Sequence, residues 1–180
     1  MSVNVNGTSL KDIIHNSVPA KVWLHNGIQV WQRYVQSTGT LGSYYAQLRS
    51  STTPMIAASA SPGDPNGYTY SRSEMKGDVL AWEGKGACVK ALTDCEVTVS
   101  GSIKVKVPGG GKVGMKGWYY KNTTQIKQIF WVYTAEQTIS LSYKIRLKTG
   151  DIFSVRTAPE NSAGGFIQFV ISARFEGVTI

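Results

Sequence analysis

The sequence predicts an all-β chain built of antiparallel strands. Three segments alternate apolar and polar residues along their length, namely 97–107, 138–148 and 166–175. A period of two over this length is typical of a strand with one face in a core. Turn-forming residues separate the segments at 108–111, 121–124, 149–151 and 162–165. Short strands separated in this way indicate an antiparallel sandwich or barrel.

Size and composition narrow the class of protein further. The chain has 180 residues, 42% of them hydrophobic and 17% charged, with a formal net charge of +8. This composition predicts one folded domain, or one domain with an appendage, rather than a disordered chain. No apolar run approaches the roughly 20 residues of a membrane-spanning helix, and the first residues lack the pattern of a secretory signal. We therefore expect no membrane insertion.

Residues 1–35 predict a small separate element that contains a β-hairpin. Asn26 and Gly27 form its two-residue turn, because this pair readily adopts the positive φ values of a type I′ turn. An isolated hairpin is marginally stable in water, so we expect it to pack on the main domain or on another protein. The cross-strand pairs expected from this turn are Trp23 with Val30 and Val22 with Trp31.

The middle of the chain differs in composition from both ends. Residues 36–76 are rich in Ser, Thr, Gly and Pro, which predicts a connector with one short strand around residues 68–70. Residues 77–180 contain the alternating segments and predict the β-sandwich domain. The expected organisation is therefore a hairpin element, a connector and a sandwich.

The positive charge is confined to one region. Residues 84–148 hold eleven basic and three acidic residues, a difference equal to the whole net charge. Five of these bases occupy polar positions of two alternating segments: Lys104, Lys106, Lys144, Arg146 and Lys148. If the two strands lie in one sheet, these side chains form an exposed basic face.

Two interpretations of this basic face remain open. It could bind nucleic acid, an anionic glycan or an acidic partner. It could equally be a solvated sheet face, on which lysines prevent edge-to-edge pairing. Binders of single-stranded nucleic acid place aromatic residues between their bases, whereas serine and threonine stand there in this chain. We therefore do not expect a nucleic acid partner.

Aromatic residues are dense in the segments 118–120 and 130–133. Because they occupy both alternating sets of positions, they cannot all face one core. Some are expected to meet a ligand or another subunit, and the subunit is preferred because tryptophan and tyrosine are enriched at interfaces.

Residues with catalytic chemistry are few and scattered. Neither His15 nor His25 has a carboxylate or a cysteine at metal-ligand spacing. Cys88 and Cys95 lie on opposite faces if one strand continues through both; a turn at 92–94 could bring them together, but free buried thiols are preferred. No spacing selects a pair of carboxylates for acid–base chemistry. The sequence thus predicts no enzyme and no catalytic, cofactor-binding or metal site.

The C-terminal part resembles the trimeric jelly rolls of the TNF-like and complement-globular-head-like superfamily. The segment 139–157, ISLSYKIRLKTGDIFSVRT, contains a turn similar to the L-x-x-G-D turn of that family. The segments 95–107 and 164–180 resemble its entering and closing strands. The segment 117–126 resembles a later strand and turn, with Lys121-Asn122-Thr123 where family members often have Lys-Asn-Gly.

This resemblance implies a jelly-roll sandwich that assembles as a homotrimer. Such domains pack through aromatic and aliphatic faces near a threefold axis. The candidates for that interface are Trp118, Tyr120, Phe130, Tyr133, Phe166 and Phe169.

The N-terminal part resembles structural proteins of tailed bacteriophages. In these, a short strand precedes a V-W-x-x-G-x-x-V-W hairpin, to which the segment 22–31 is similar. The resemblance implies a virion protein of the tail, the baseplate or the head surface. The anchor residues would be Trp23, Asn26, Gly27 and Trp31.

The partners implied are other phage structural proteins and further copies of this chain, with a host-surface glycan as a candidate receptor. No cofactor is implied. A free carbohydrate- or ligand-binding β-sandwich is the alternative function. A glycan-degrading enzyme ranks below both.

Overall fold

The computed structural model divides the chain into two compact units, residues 1–35 and residues 36–180. The structure describes residues 3–5, 8–10, 14–15, 18–19, 22–25, 28–32, 36–48, 54–57, 68–106, 114–132, 136–160 and 166–180. Within these ranges the long regular elements are all β-strands.

The N-terminal unit consists of two-stranded antiparallel ribbons. Its three ribbons pair β1 (Val3–Val5) with β2 (Thr8–Leu10), β3 (Ile14–His15) with β4 (Val18–Pro19), and β5 (Val22–His25) with β6 (Ile28–Gln32). The last ribbon is the hairpin that the sequence predicts. Each ribbon pairs strands that follow one another along the chain, so the pairing among the described residues of this unit is local.

The register of the β5–β6 hairpin differs from the prediction. The observed pairs are Val22–Gln32, Trp23–Trp31, Leu24–Gln29 and His25–Ile28. Val30 has no partner in this register, because β6 contains one extra residue as a β-bulge. The bulge places Trp23 opposite Trp31, whereas strict alternation paired each tryptophan with a valine. Asn26 and Gly27 lie outside the described residues.

The second unit is a sandwich of two antiparallel sheets, so the predicted fold class is confirmed. Sheet I has the strand order β15-β12-β17-β7-β9, and sheet II has the order β10-β11-β16-β13-β14, with β8 also paired to β16. Sheet I comprises β7 (Gln36–Leu48), β9 (Tyr68–Arg72), β12 (Cys95–Lys106), β15 (Glu136–Leu147) and β17 (Phe166–Thr179). Sheet II comprises β8 (Met55–Ile56), β10 (Leu80–Trp82), β11 (Cys88–Ala91), β13 (Met115–Lys121), β14 (Thr124–Val132) and β16 (Ile152–Pro159).

The three alternating segments become β12, β15 and β17, which are neighbours in sheet I. Their apolar positions face the core: Val97, Val99, Ile103, Leu141, Leu147, Ile171 and Phe175 are buried. The other positions of β12 and β15 carry mostly serine, threonine and charged side chains, whereas those of β17 are mixed and include Val170. Hydrophobic alternation therefore identified both the strands and the faces that they bury.

The prediction of a connector over residues 36–76 is wrong for much of its length. Strand β7 pairs with β17 along 13 residues and also with β9, so the sandwich begins at Gln36 rather than at residue 77. Small residues obscured this strand in the sequence. A Cβ on Gly39 would lie 2.8 Å from atoms of both Met75 and Trp82, so close packing there requires glycine. The buried Ser37 hydroxyl accepts backbone hydrogen bonds of 2.7 Å and 3.0 Å from the N–H groups of residues 79 and 80.

Stacked aromatic rings join the two sheets at the centre of the core. Tyr119 and Phe153 come from sheet II, and Tyr143 and Phe175 come from sheet I. The ring centroids are 4.6 Å apart for Tyr119–Tyr143, 5.7 Å for Tyr119–Phe153 and 6.4 Å for Phe153–Phe175. The Tyr119 hydroxyl accepts a hydrogen bond of 3.2 Å from the N–H of Ser142, on the edge strand β15. This contact satisfies a backbone donor at the side of the sandwich.

Candidate functional site

Two turns at one end of the sandwich are joined by polar contacts. Asn122, at a φ of 54°, donates a 3.0 Å hydrogen bond to Asp151 and accepts one of 2.8 Å from the N–H of Ile152. The Lys121 ammonium lies 2.9 Å from the Asp151 carboxylate, which also accepts a 2.8 Å bond from the N–H of Lys148. Hydrogen bonds from Lys121 and Asn122 are the main cause that lowers the pKa of Asp151 to about 2.

Asp94 extends this group of contacts to a third turn. Its carboxylate accepts hydrogen bonds of 2.8 Å and 3.0 Å from the N–H and hydroxyl of Thr149, and these bonds lower the pKa of Asp94. Gly150, at a φ of 88°, allows the turn that connects Thr149 to Asp151. The L-x-x-G-D pattern of residues 147–151 is therefore explained by turn geometry, and its carboxylate acts as a hydrogen-bond acceptor.

Three of the predicted interface aromatics are buried within a single chain. Trp118, Tyr120 and Phe130 are 8%, 9% and 7% exposed. Phe130 packs against Gly117 in the core, whereas Trp118 and Tyr120 form a separate cluster with Ala158. Side chains already covered by their own chain have little surface to offer another subunit, so their assignment to an oligomer interface is not supported.

The remaining interface candidates are placed only in part. Tyr133 lies outside the described residues. Phe166 and Phe169 both belong to β17, but they occupy opposite sets of alternating positions. Phe169 lies opposite the fully buried Val105 in register, and Phe166 lies opposite Leu48. The two phenylalanines therefore cannot both belong to one outward face.

The five predicted basic residues are exposed, and the strands that carry four of them are adjacent in sheet I. They do not form one patch. Lys104 lies opposite Thr138 and Lys144 lies opposite Thr98. These positions are six residues apart on β12, which corresponds to about 20 Å. The central rows between them carry serines 100, 102, 140 and 142. The Lys106 and Lys148 positions lie at the two ends of this arrangement.

A glutamate lies beside each of the two groups of bases. Lys104 forms an ion pair with Glu136, and the hydrogen bond from Lys104 is the main cause that lowers the pKa of Glu136. Glu96 lies 2.9 Å from the Lys144 ammonium and 4.0 Å from Arg146. The predicted bases are thus exposed along sheet I, but they form two groups, each with a glutamate beside it. The charge count along the sequence included both acids, but only strand pairing shows that they lie beside these bases.

Sequence reasoning missed an exposed aromatic side chain at the edge of sheet II. Trp131, on the edge strand β14, is 49% exposed. Its indole N–H donates a 3.0 Å hydrogen bond to Glu160, and the Lys116 ammonium lies 4.4 Å from the ring centroid. Lys116 and Glu160 are themselves 3.3 Å apart. The ring is therefore held in one orientation while half of the residue remains accessible.

Two irregularities in β14 determine which side chains accompany Trp131. The pairs Lys116–Trp131, Trp118–Gln128 and Tyr120–Gln125 are separated by register shifts. Residues directly opposite one another in antiparallel strands share a face. Gln125 and Gln128, both exposed, thus lie on the same face as Trp131. We call these three residues the amide–tryptophan strip.

Both cysteines are free and buried, as the sequence predicted. Burial is the main cause that raises the pKa of each thiol to about 11. Near neutral pH such thiols are protonated and react slowly as nucleophiles. Among the described residues, no group of three or more His, Cys, Asp or Glu side chains is arranged to hold a metal ion.

Comparisons with known proteins show no family for this chain. No family model matches the chain, and no curated protein matches it. Solved structures of TNF-family jelly rolls do match. Murine APRIL at pH 8.5 has a TM-score of 0.45 and 14% identity, with 76% of this chain and 98% of that chain covered. Pika GITRL has a TM-score of 0.35 and 10% identity, covering 73% and 95% of the two chains. Bushbaby GITRL scores 0.34 at 9% identity, covering 72% and 93%.

These scores are low, and the sandwich assignment rests on the strand order of this chain itself. Within the part of the chain that the structure describes, no helix has the length and hydropathy needed to cross a membrane.

Proposed function

We propose that this chain is a non-enzymatic structural protein of a tailed-bacteriophage particle. The N-terminal unit would attach it to the tail, the baseplate or the head, and the sandwich would be displayed outward. The observation that carries this proposal is the division of the chain at residues 35 and 36, with a ribbon in the first unit that places Trp23 opposite Trp31. Two large aromatic residues on a small β-ribbon are suited to burial against a partner.

Removal of residues 1–35 tests the anchoring role. The remaining sandwich retains both of its sheets, so we expect a folded, soluble protein that no longer joins particles. A second variant carries Trp23→Ala and Trp31→Ala in the full chain. It should weaken incorporation while leaving the sandwich intact. Normal incorporation of the truncated chain would refute the anchoring role.

We propose that the sandwich assembles as a homo-oligomer, with a trimer favoured by its resemblance to the TNF-like jelly rolls. The surface proposed for assembly is the outward face of sheet I. Val170 on β17 is 43% exposed there and lies opposite Lys104 in register. The solution mass of the chain and of a Val170→Glu variant tests this interface. A monomeric wild-type chain would refute it.

The alternative is a free carbohydrate-binding β-sandwich. The exposed and oriented Trp131 favours this function, because aromatic rings with a few polar neighbours are typical of ligand sites. Purification of native particles distinguishes the two proposals. A virion protein remains with the particles, whereas a free binding module does not.

A further inference from the structure

The amide–tryptophan strip has the features of a ligand surface that strand alternation alone would not produce. In a regular strand, Trp131 would share its face with residues 129, 127 and 125. In β14, Ile129 and Ile126 are the extra residues at two register shifts, so Gln128 joins Trp131 and Gln125 on this face in place of residues 129 and 127. Bulges that redirect side chains are over-represented at sheet edges and beside functional sites.

The strip combines one aromatic ring with two amides along an accessible edge. Trp131, Gln128 and Gln125 pair with residues 116, 118 and 120 of β13. The strip therefore extends over four residues of β13, or about 14 Å. Each glutamine amide offers both a donor and acceptors. An indole ring offers a broad apolar surface. Such a set of groups complements a ligand in which hydroxyl groups alternate with apolar C–H faces.

The cations beneath and beside the strip are already engaged. Lys116 is paired with Glu160, and Lys121 is paired with Asp151. The Arg156 guanidinium lies 4.3 Å from the ring centroid of Tyr120 and donates a 3.1 Å hydrogen bond to the carbonyl of Asn122. Two of these three cations are therefore paired with carboxylates, and the third, Arg156, is held against the Tyr120 ring.

The buried cluster beside the strip, on the same face of sheet II, makes it a firm platform. Trp118 and Tyr120 lie opposite Gln128 and Gln125, are both nearly buried and pack with Ala158. Their rings restrict movement of the strand that carries the amides. A surface fixed before binding loses less conformational entropy when a ligand binds.

From these observations we propose that the amide–tryptophan strip binds a neutral oligosaccharide. One sugar ring stacks on Trp131, and hydroxyl groups of the adjoining units bind the amides of Gln128 and Gln125. The inference rests on the proposed outward display of the sandwich on a particle only for the origin of the glycan. It deepens that function by naming the class of receptor and the residues that contact it.

The test measures binding of the full chain to neutral oligosaccharides of glucose, galactose, mannose and N-acetylglucosamine, with sialylated and sulfated glycans as the anionic arm. We expect at least one neutral oligosaccharide to bind. Trp131→Ala should weaken that binding by about tenfold or more, which corresponds to 1.4 kcal/mol. Gln128→Ala should weaken it by a smaller factor, and Trp131→Phe should retain part of it.

Two controls keep the result specific. Leu92→Ala removes another exposed apolar side chain, and Lys144→Ala removes one of the basic residues of sheet I. Neither should change binding. If no neutral oligosaccharide binds, if Trp131→Ala binds as the wild type does, or if only anionic glycans bind in a Lys144-dependent way, the inference is wrong.

Particle incorporation separates this inference from the proposed virion role. We expect Trp131→Ala chains to join particles normally while losing glycan binding. Loss of incorporation would instead identify the strip as a contact with another protein and would refute the glycan site. A wild-type chain that binds glycans but is absent from purified particles would refute the virion role and leave the glycan site standing.

Discussion

Asp151 allows a quantitative test of the contacts that join the turns at one end of the sandwich. Its pKa is about 2 in the folded chain, against an ordinary value of 3.8. A difference of about 1.8 units at 1.36 kcal/mol per unit corresponds to about 2.4 kcal/mol. The Asp151 side chain remains 17% exposed, and solvent screening reduces this value. We therefore expect Asp151→Asn to lower the free energy of unfolding by about 1–2 kcal/mol near pH 7.

The pH dependence of this loss identifies its cause. A carboxyl group with a lowered folded pKa stabilises the folded state fully above its unfolded pKa of about 4. The contribution is lost as pH falls through the folded pKa of about 2. The difference between wild type and Asp151→Asn should therefore shrink to about half near pH 3 and vanish below both values.

Urea denaturation followed by tryptophan fluorescence measures this difference at each pH. Asp78→Asn is the matched control, because it removes an exposed aspartate of the same unit. We expect that control to change stability by less than about 0.5 kcal/mol. The reasoning fails if Asp151→Asn is as stable as the wild type near pH 7, or if its deficit is independent of pH.

Two further substitutions and one alkylation experiment test the packing of the sandwich. Gly117→Ala should cost about 1–3 kcal/mol in urea denaturation, because the added Cβ would lie 2.2 Å from the Phe130 ring; an unchanged midpoint would contradict this contact. Ser37→Ala removes the acceptor for two buried N–H groups, including that of Val79, and should cost about 1–3 kcal/mol in the same assay, whereas Ser102→Ala should cost little. The Cys88 thiol, with its pKa of about 11, should react slowly with iodoacetamide near pH 8 until the chain is unfolded; rapid alkylation of the native protein would show that it is accessible.

The proposed glycan site shows how the candidate surface changed between sequence and structure. The sequence directed attention to five bases on two strands, and strand pairing placed Glu96 and Glu136 among them. Trp131 was recognised as part of an aromatic run, but its exposure was not predicted. The sequence of β14 does not predict its two bulges, because they arise from the way in which β13 and β14 pair.

The same limit applies to β7. Its small residues fit between Met75, Trp82 and the neighbouring strand β17, so its pairing depends on residues far away in the chain. Its composition resembles that of a linker. The sequence therefore predicts a connector where β7 lies, and it places the start of the sandwich at residue 77 instead of Gln36.

The sequence by itself determined the all-β class, the three central strands of sheet I and the face that each of them buries. It could do so because a strand that separates a core from water must alternate with a period of two. The tertiary structure decided which charges are neutralised, which aromatics are covered and where the bulges fall. These features depend on residues brought together by pairing across the sheets, and such neighbours are not encoded in local periodicity.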